Sequence, residues 1–345
     1  MRKGRKHKAL KSGVRETASN LDDLFRTFIE IKKAEGRAPR TLGQYEDNYG
    51  YFTTYLDVKG IKRYVSEITK EVIRNYITYM RDELVKFEGH RFKTKESMTK
   101  GLAPSSINTR LKTLRVIFKC LLEEDLIDYD PTQGVKNVSE PQENIEILSA
   151  EELKKLLKVP NTRYYPDFRD YVLMHLLIDG MMRISEALGL TVNDFDFHNR
   201  TVIIPAGIAK NRKSRVVPLE QRTMRLVKEL YEENRVDFDN EYLFLTNYGE
   251  PMGRDRFGKR LKDFAIQAGI TKNVHPHLFR HTSATLFLEA GGDLRHLQMI
   301  LGHSDLRVII RYTHLSSQAL KNQHDLYSPI KEVSEKLNRP RKIKR

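Results

Sequence analysis

Residues 201–219 read TVIIPAGIAKNRKSRVVPL. Two short runs rich in β-branched residues, TVIIPA and SRVVPL, flank a basic segment, GIAKNRK. Val and Ile lose side-chain freedom in a helix and fit a pleated surface, so each run reads as a strand. The Gly-containing basic stretch between them reads as the positively charged tip of a hairpin. Most of the sequence around this hairpin repeats apolar residues at a helical period. The predicted fold class is therefore mainly α with a small antiparallel β-sheet.

Outward from the hairpin, EYLFLT (241–246) reads as a further short strand, and the pattern is helical again from Arg254. On the N-terminal side, DFRDYVLMHLLIDG (167–180) is apolar enough for a core helix. LSAEELKKLL, from Leu148, places Ser149 and Glu152 at the spacing of a capping box, which starts a helix. NVSEPQENIEI (137–147) is polar, contains Pro141 and reads as a linker. Before it lies a helical domain. LDDLFRTFIEIKKAEG sets Leu21, Leu24, Phe25, Phe28 and Ile31 on one face, and further helices are expected over Thr41–Leu56 and Lys70–Phe87. EGHRFKTKESMTKGL (88–102) reads as a loop, and the next helix repeats Ile107, Leu111, Leu114, Phe118 and Leu121. The expected organisation is a basic arm (1–20), a helical domain (21–136), a linker (137–147), a second domain (148–328) and a basic tail (329–345). In that tail Pro329 interrupts the chain before IKEVSEKL, a short amphipathic segment.

The chain has 345 residues, which suits two domains better than one. Lys and Arg number 61 against 46 Asp and Glu, a net charge of +15 that points to a polyanion, usually nucleic acid. The single cysteine, Cys120, excludes a disulfide framework and a Cys-based metal site. The basic N-terminus lacks the apolar stretch of a signal peptide, and no apolar run approaches the ~20 residues needed to span a bilayer. The expectation is a cytoplasmic protein with no membrane partner.

Seven of the 11 histidines fall within residues 275–345, which marks a candidate site. HPHLFRHTSAT (275–285) places His277, Arg280 and His281 on one face of a helix that Pro276 would start. A His pair four residues apart suggests zinc. The metalloprotease pattern, however, needs Glu directly after the first His, where this chain has Leu278, and Arg280 between the two would repel a cation. Arg beside His suits a phosphate instead: the guanidinium fork matches phosphate oxygens, and imidazole moves a proton near neutral pH. Arg183 in MRISEALGL is a second candidate arginine, although a pair with Glu186 closing a helix is the simpler reading of it alone. DLRHLQMIL (293–301) reads as a helix with Asp293 at its N-cap and Gly302 as its stop. His303 follows at once, and a short helix anchored by Leu306 and Ile309 or Ile310 would end at Tyr312. A tyrosine can be a covalent nucleophile toward a phosphodiester, but any one of 16 tyrosines is by default a packing residue.

Arg183 with Ser185 and Glu186, HLFRH at 277–281, LGH at 301–303 and YTH at 312–314 resemble the boxes of the tyrosine recombinase (phage integrase) family. They stand in family order, with Tyr312 nine positions after His303, and the resemblance covers about residues 20–330. It implies a helical, SAM-like core-binding domain followed by an α/β catalytic domain, the two clamping double-stranded DNA, and a homotetramer working on two DNA sites. It implies that Tyr312 attacks the scissile phosphate to form a 3′-phosphotyrosine. Arg183 and Arg280 would bind nonbridging oxygens, His303 would hydrogen-bond one of them, and His277 would serve the Tyr hydroxyl as acid and base. The hairpin lysine that protonates the leaving 5′ oxygen falls on Lys210. No metal and no cofactor are implied. Two positions depart from the family's pattern. Asn211 stands where Gly usually follows the lysine, and Met181 stands two residues before Arg183 where Gly is usual, with Gly180 one step earlier. The expected activity is site-specific recombination, integrating or excising a mobile element. The alternatives are a type IB topoisomerase-like enzyme and a catalytically silent DNA-binding regulator with the same fold.

Overall fold

The computed structural model describes residues 19–86, 98–140, 146–302, 324–326, 328 and 330. The chain divides into two units, Met1–Gln142 and Glu143–Arg345.

Among the described residues the first unit holds four α-helices: α1 (Leu21–Ala34), α2 (Pro39–Val58), α3 (Lys70–Asp82) and α4 (Pro104–Glu123). Asn20 and Thr69 cap α1 and α3 through side-chain oxygens, and Pro39 and Pro104 begin α2 and α4, where a missing N–H costs nothing. Helix α4 packs against the other three, and Phe28, Phe52, Leu56, Ile73, Leu111, Leu114 and Phe118 are buried around it. The buried face of α1 is centred one position away from the expected one. Ile29 and Lys32 are buried, while Leu24 and Ile31 are half-exposed. The Lys32 stem lies inside while its ammonium reaches Glu35 at 2.6 Å. Helix α3 stops at Asp82, short of the expected Phe87. Past it the backbone turns to the 99–101 segment: Lys86 N–H donates to Thr99 O, Gly101 N–H donates to Leu84 O, and Val85 bridges Lys100. Gly101 has φ +81°, and a Cβ there would stand 2.2 Å from Arg81 O, so this return requires glycine. Residues 87–97 lie outside the described residues.

The second unit surrounds α6 (Tyr165–Asp179), a core helix that packs on α8 (Gln221–Asp237) and α10 (Pro276–Glu289). It also contains α5 (Ala150–Leu157), α7 (Ile184–Ala187), α9 (Arg254–Gln267) and α11 (Leu294–Leu301). The capping box forms at α5, with Ser149 N–H donating to Glu152 and Glu152 N–H donating to Ser149 Oγ. The sheet is antiparallel in the order β1 (Phe195–Asp196), β2 (Thr201–Ile204), β3 (Arg215–Pro218). The hairpin register pairs Val202 with Val217 and Ile204 with Arg215. Val202, Ile204 and Val217 face the core, and Ile203 and Val216 face out, so the pleat sorts the two runs. Strand β1 is too short to show alternation in sequence. EYLFLT is not a strand. Its apolar residues are buried consecutively, and its backbone makes only isolated bridges, Thr191 with Tyr242 and Leu245 with Pro251. A satellite apolar cluster joins Met181, Ala284, Leu288, Leu297 and Leu301. No described helix is long and apolar enough to cross a membrane.

Candidate active site

Arg183 sits at the N-cap of α7, after a tight turn out of α6. In that turn Met181 has φ +48°, the left-handed region that a glycine enters freely. For an L side chain this costs roughly 1–2 kcal/mol. Burial of the Met181 side chain in the satellite cluster, and a 2.7 Å hydrogen bond from Arg280 Nη1 to Met181 O, offset it. The turn thus keeps its left-handed backbone without glycine, because the side chain is anchored.

Arg183 donates from Nη1 to Glu186 Oε1 at 2.9 Å, and its backbone N–H donates to Oε2 at 3.0 Å. Glu186 is fully buried. Its second partner is Arg215, which opens β3 and donates from Nη2 at 2.6 Å and from Nη1 at 3.3 Å. Burial alone would raise the Glu186 pKa; its hydrogen bonds from Arg215 and the Arg183 N–H, with both positive charges, outweigh burial and bring it down to about 2. Glu186 is therefore a fixed anion that aims two arginines. The Arg183–Glu186 pair does form, but it takes only Nη1 of the guanidinium. Among the described residues, Arg183 Nε and Nη2 make no protein hydrogen bond.

Arg280 lies one turn into α10 and is 4% exposed. It donates to Met181 O and, from Nη2 at 2.7 Å, to Leu301 O. His277, in the first turn of the same helix, is exposed. Partial desolvation of its ring, then the positive charges of His275, Arg280, Arg183 and Lys210, lower its pKa. This places Lys210 among the cations that surround His277, although Lys210 comes from the hairpin. His277 is thus neutral at neutral pH and able to take a proton. At the hairpin tip the left-handed residue is Arg212, φ +54°, so position 211 needs no glycine. The Asn211 amide instead donates to Gly302 O at 3.1 Å.

Helix α11 begins with Asp293, whose carboxylate accepts from the N–H groups of Arg295 and His296, and ends with Gly302 at φ +63°. A Cβ at Gly302 would lie 2.9–3.1 Å from the Arg215 side chain. Four of the six expected site residues, Arg183, Lys210, His277 and Arg280, come together here from three separate segments, the N-cap of α7, the hairpin and α10. His303 and Tyr312 lie outside the described residues, as does most of the basic tail. Arg215 and Asn211 escaped the sequence reading. A signal for Arg215 was present: in SRVVPL it shares the inward phase with Val217, and an inward arginine needs a buried partner.

A cleft of about 470 Å³ opens beside His277, lined by Ile184, Arg254, Lys259, Lys262 and His275 among others. A larger cavity of about 610 Å³ is lined by Met181, His175, Phe287 and Arg222 among others, and shares none of its lining residues with that cleft. Among the described residues no cluster of three His, Cys, Asp or Glu side chains could hold a metal ion.

Residues 146–319 match the model of the phage integrase family, and residues 20–138 match the phage integrase SAM-like domain. Tyrosine recombinase XerD of Listeria monocytogenes serovar 1/2a is 29% identical over 315 residues, 90% of this chain and 99% of that protein. Tyrosine recombinase XerC of Bacillus subtilis (strain 168) is 29% identical over 320 residues, 91% of this chain and 98% of that protein. A XerD from Yersinia pestis is 33% identical over 239 residues, 68% of this chain and 79% of that protein. Among solved structures, the Tn1549 transposon integrase in complex with a circular intermediate DNA shares the fold. Its TM-score is 0.69 at 19% identity, covering 89% of this chain and 99% of that one.

Proposed function

The chain belongs to the phage integrase family and is a tyrosine recombinase, and from that premise we propose that it cleaves and rejoins double-stranded DNA through a 3′-phosphotyrosine on Tyr312. One observation supports the assignment of roles: Arg183, Lys210 and Arg280 gather their charge around His277, and Arg280 also holds the end of α11, from which the chain continues directly to His303.

In this reading the phosphate lies against the open donors of Arg183 and beside Arg280, where the extra negative charge of the pentavalent transition state is stabilised. The Tyr312 oxygen attacks phosphorus while its proton passes to neutral His277. The bond to the 5′ oxygen breaks, and Lys210 delivers a proton to that oxygen, leaving a free 5′ hydroxyl. His303 donates to a nonbridging oxygen. Rejoining is the reverse, with a 5′ hydroxyl attacking the phosphotyrosine, so the bond energy is kept and no nucleotide is consumed. The basic cleft along α9 and the net charge of +15 support a DNA backbone as partner. The working species we propose is a homotetramer on two DNA sites, in the cytoplasm.

The test is a denaturing gel of protein with a nicked suicide DNA. The parent should form a covalent adduct and Tyr312→Phe none, with DNA binding nearly intact. An adduct formed by Tyr312→Phe would overturn the nucleophile. For the biological setting, the basic arms at both ends favour integration or excision of a mobile element. Similarity to proteins named XerD and XerC favours a second reading, resolution of chromosome dimers. Deleting the gene separates the two: loss of excision of a defined DNA segment supports the first, and accumulation of dimeric chromosomes the second.

A further inference from the structure

The last carbonyls of an α-helix have no partner within it. At the end of α11 three successive ones are met by side chains from elsewhere. Arg215 Nε donates to Ile300 O at 2.9 Å, Arg280 Nη2 to Leu301 O at 2.7 Å, and Asn211 Nδ2 to Gly302 O at 3.1 Å. Two of these three donors belong to the hairpin that carries Lys210: Asn211 is its immediate neighbour, and Arg215 opens β3. Arg215 is braced from its other side by buried Glu186, which also holds Arg183. An arginine needed only to neutralise Glu186 has no reason to turn its Nε to the end of α11 and fill the space a Cβ at Gly302 would take. An asparagine at an exposed hairpin tip has water to bond and no need of a carbonyl 91 residues away.

We propose that Asn211 and Arg215 are positioning residues for DNA cleavage. They fix the exit of α11, and so the start of the segment that leads to His303 and Tyr312, to the hairpin that presents Lys210. The leaving-group side and the nucleophile side of the reaction thereby share one mechanical reference. Asn211 gives this chain a tether that glycine at the same position lacks. The inference rests on the roles of Lys210, His303 and Tyr312 proposed above.

The experiment compares full-length parent, Asn211→Ala, Asn211→Asp and Arg215→Lys. It reads three quantities: the single-turnover rate of adduct formation on suicide DNA at saturating protein, affinity for a single site, and melting temperature. Asn211→Ala should form adduct about tenfold more slowly, the loss of one hydrogen bond. Asn211→Asp should be slower still, because a carboxylate repels the Gly302 carbonyl. Both should keep the parent's affinity and melting temperature, since the side chain is exposed. Arg215→Lys keeps the charge but loses the fork, and should lose about 100-fold. A substrate with sulfur at the 5′-bridging position needs no proton on its leaving group. It should restore Lys210→Ala but neither Asn211→Ala nor Arg215→Lys. Rates within twofold of the parent for Asn211→Ala and Arg215→Lys would overturn the proposal. So would rescue of Asn211→Ala by the bridging sulfur, which would mean that Asn211 serves Lys210 alone. A parent that forms no adduct at all would sink the underlying functional reading, and this inference with it.

Discussion

The catalytic unit contains two buried carboxylates, each gripped by two arginines, and they serve different ends. Asp170, fully buried on α6, accepts from Arg169 Nε and Nη2 at 3.0 and 2.8 Å and from Arg260 Nε. Arg260 also reaches Asp167 at 2.5 Å, and Arg169 Nη1 donates to Leu245 O at 2.7 Å. Two cations meet two anions, and Arg169 is 2% exposed. Glu186, equally buried, pairs with Arg183 and Arg215, a surplus of one positive charge, and Arg183 shares its charge with Lys210 around His277. Arg183 keeps donors open. A balanced network ties α6 to α9 and has nothing left to offer. An unbalanced one, with the same parts, is a place waiting for an anion.

The sharpest way to break this comparison is to truncate one arginine in each network. Arg183→Ala should slow adduct formation by about 10²–10³, the usual loss for one oxyanion donor, with little change in melting temperature. Arg169→Ala should do the opposite. Leaving buried Asp170 underpaired should cost about 3–5 kcal/mol in denaturant unfolding, while the molecules that remain folded cleave at the parent's rate. Equal effects of the two substitutions on rate and stability would erase the distinction.

A second, smaller effect concerns acid. The Glu186 pKa is held at about 2, below the ordinary 4.5, so its contribution is complete above pH 4.5 and is lost as pH falls toward 2. Glu186→Gln should therefore be less stable than the parent at pH 7, by about 3 kcal/mol from the size of the shift. The gap should close between pH 4.5 and 2 in parallel urea titrations. His277 titrates below its ordinary 6.5, so the acid limb of the cleavage rate should fall below pH 6.5 and vanish in His277→Ala. The smallest effect is on anions. Sulfate at ten times its dissociation constant should stabilise the parent by about 1.4 kcal/mol over chloride of equal ionic strength. Arg183→Ala should lose that increment, and Arg169→Ala should keep it.

Local signals carried much of this architecture. The β-branched runs 201–204 and 215–218 form the hairpin, and Ser149, Pro276, Asp293 and Gly302 begin and end helices where their chemistry predicts. What failed was non-local. The end of α3 depends on pairing with residues 99–101, and the consecutive burial in EYLFLT imitates a strand. The sequence singles out Arg183, Lys210, His277 and Arg280 only through the order of the family boxes, and their roles belong to the proposed function. The left-handed Met181 was visible only as a departure from a glycine, and nothing in the sequence paired Asn211 with Gly302.

The three-fold hold on α11 also has a kinetic side. Its carbonyls wait for side chains 85, 21 and 91 residues away in the chain. Contacts that close such long loops form late, after local helices and hairpins. The exit of α11 is thus finished only when the hairpin, α10 and α11 have all docked. An exit tied to three distant side chains is therefore a tertiary feature, absent from any fragment that lacks the hairpin or α10.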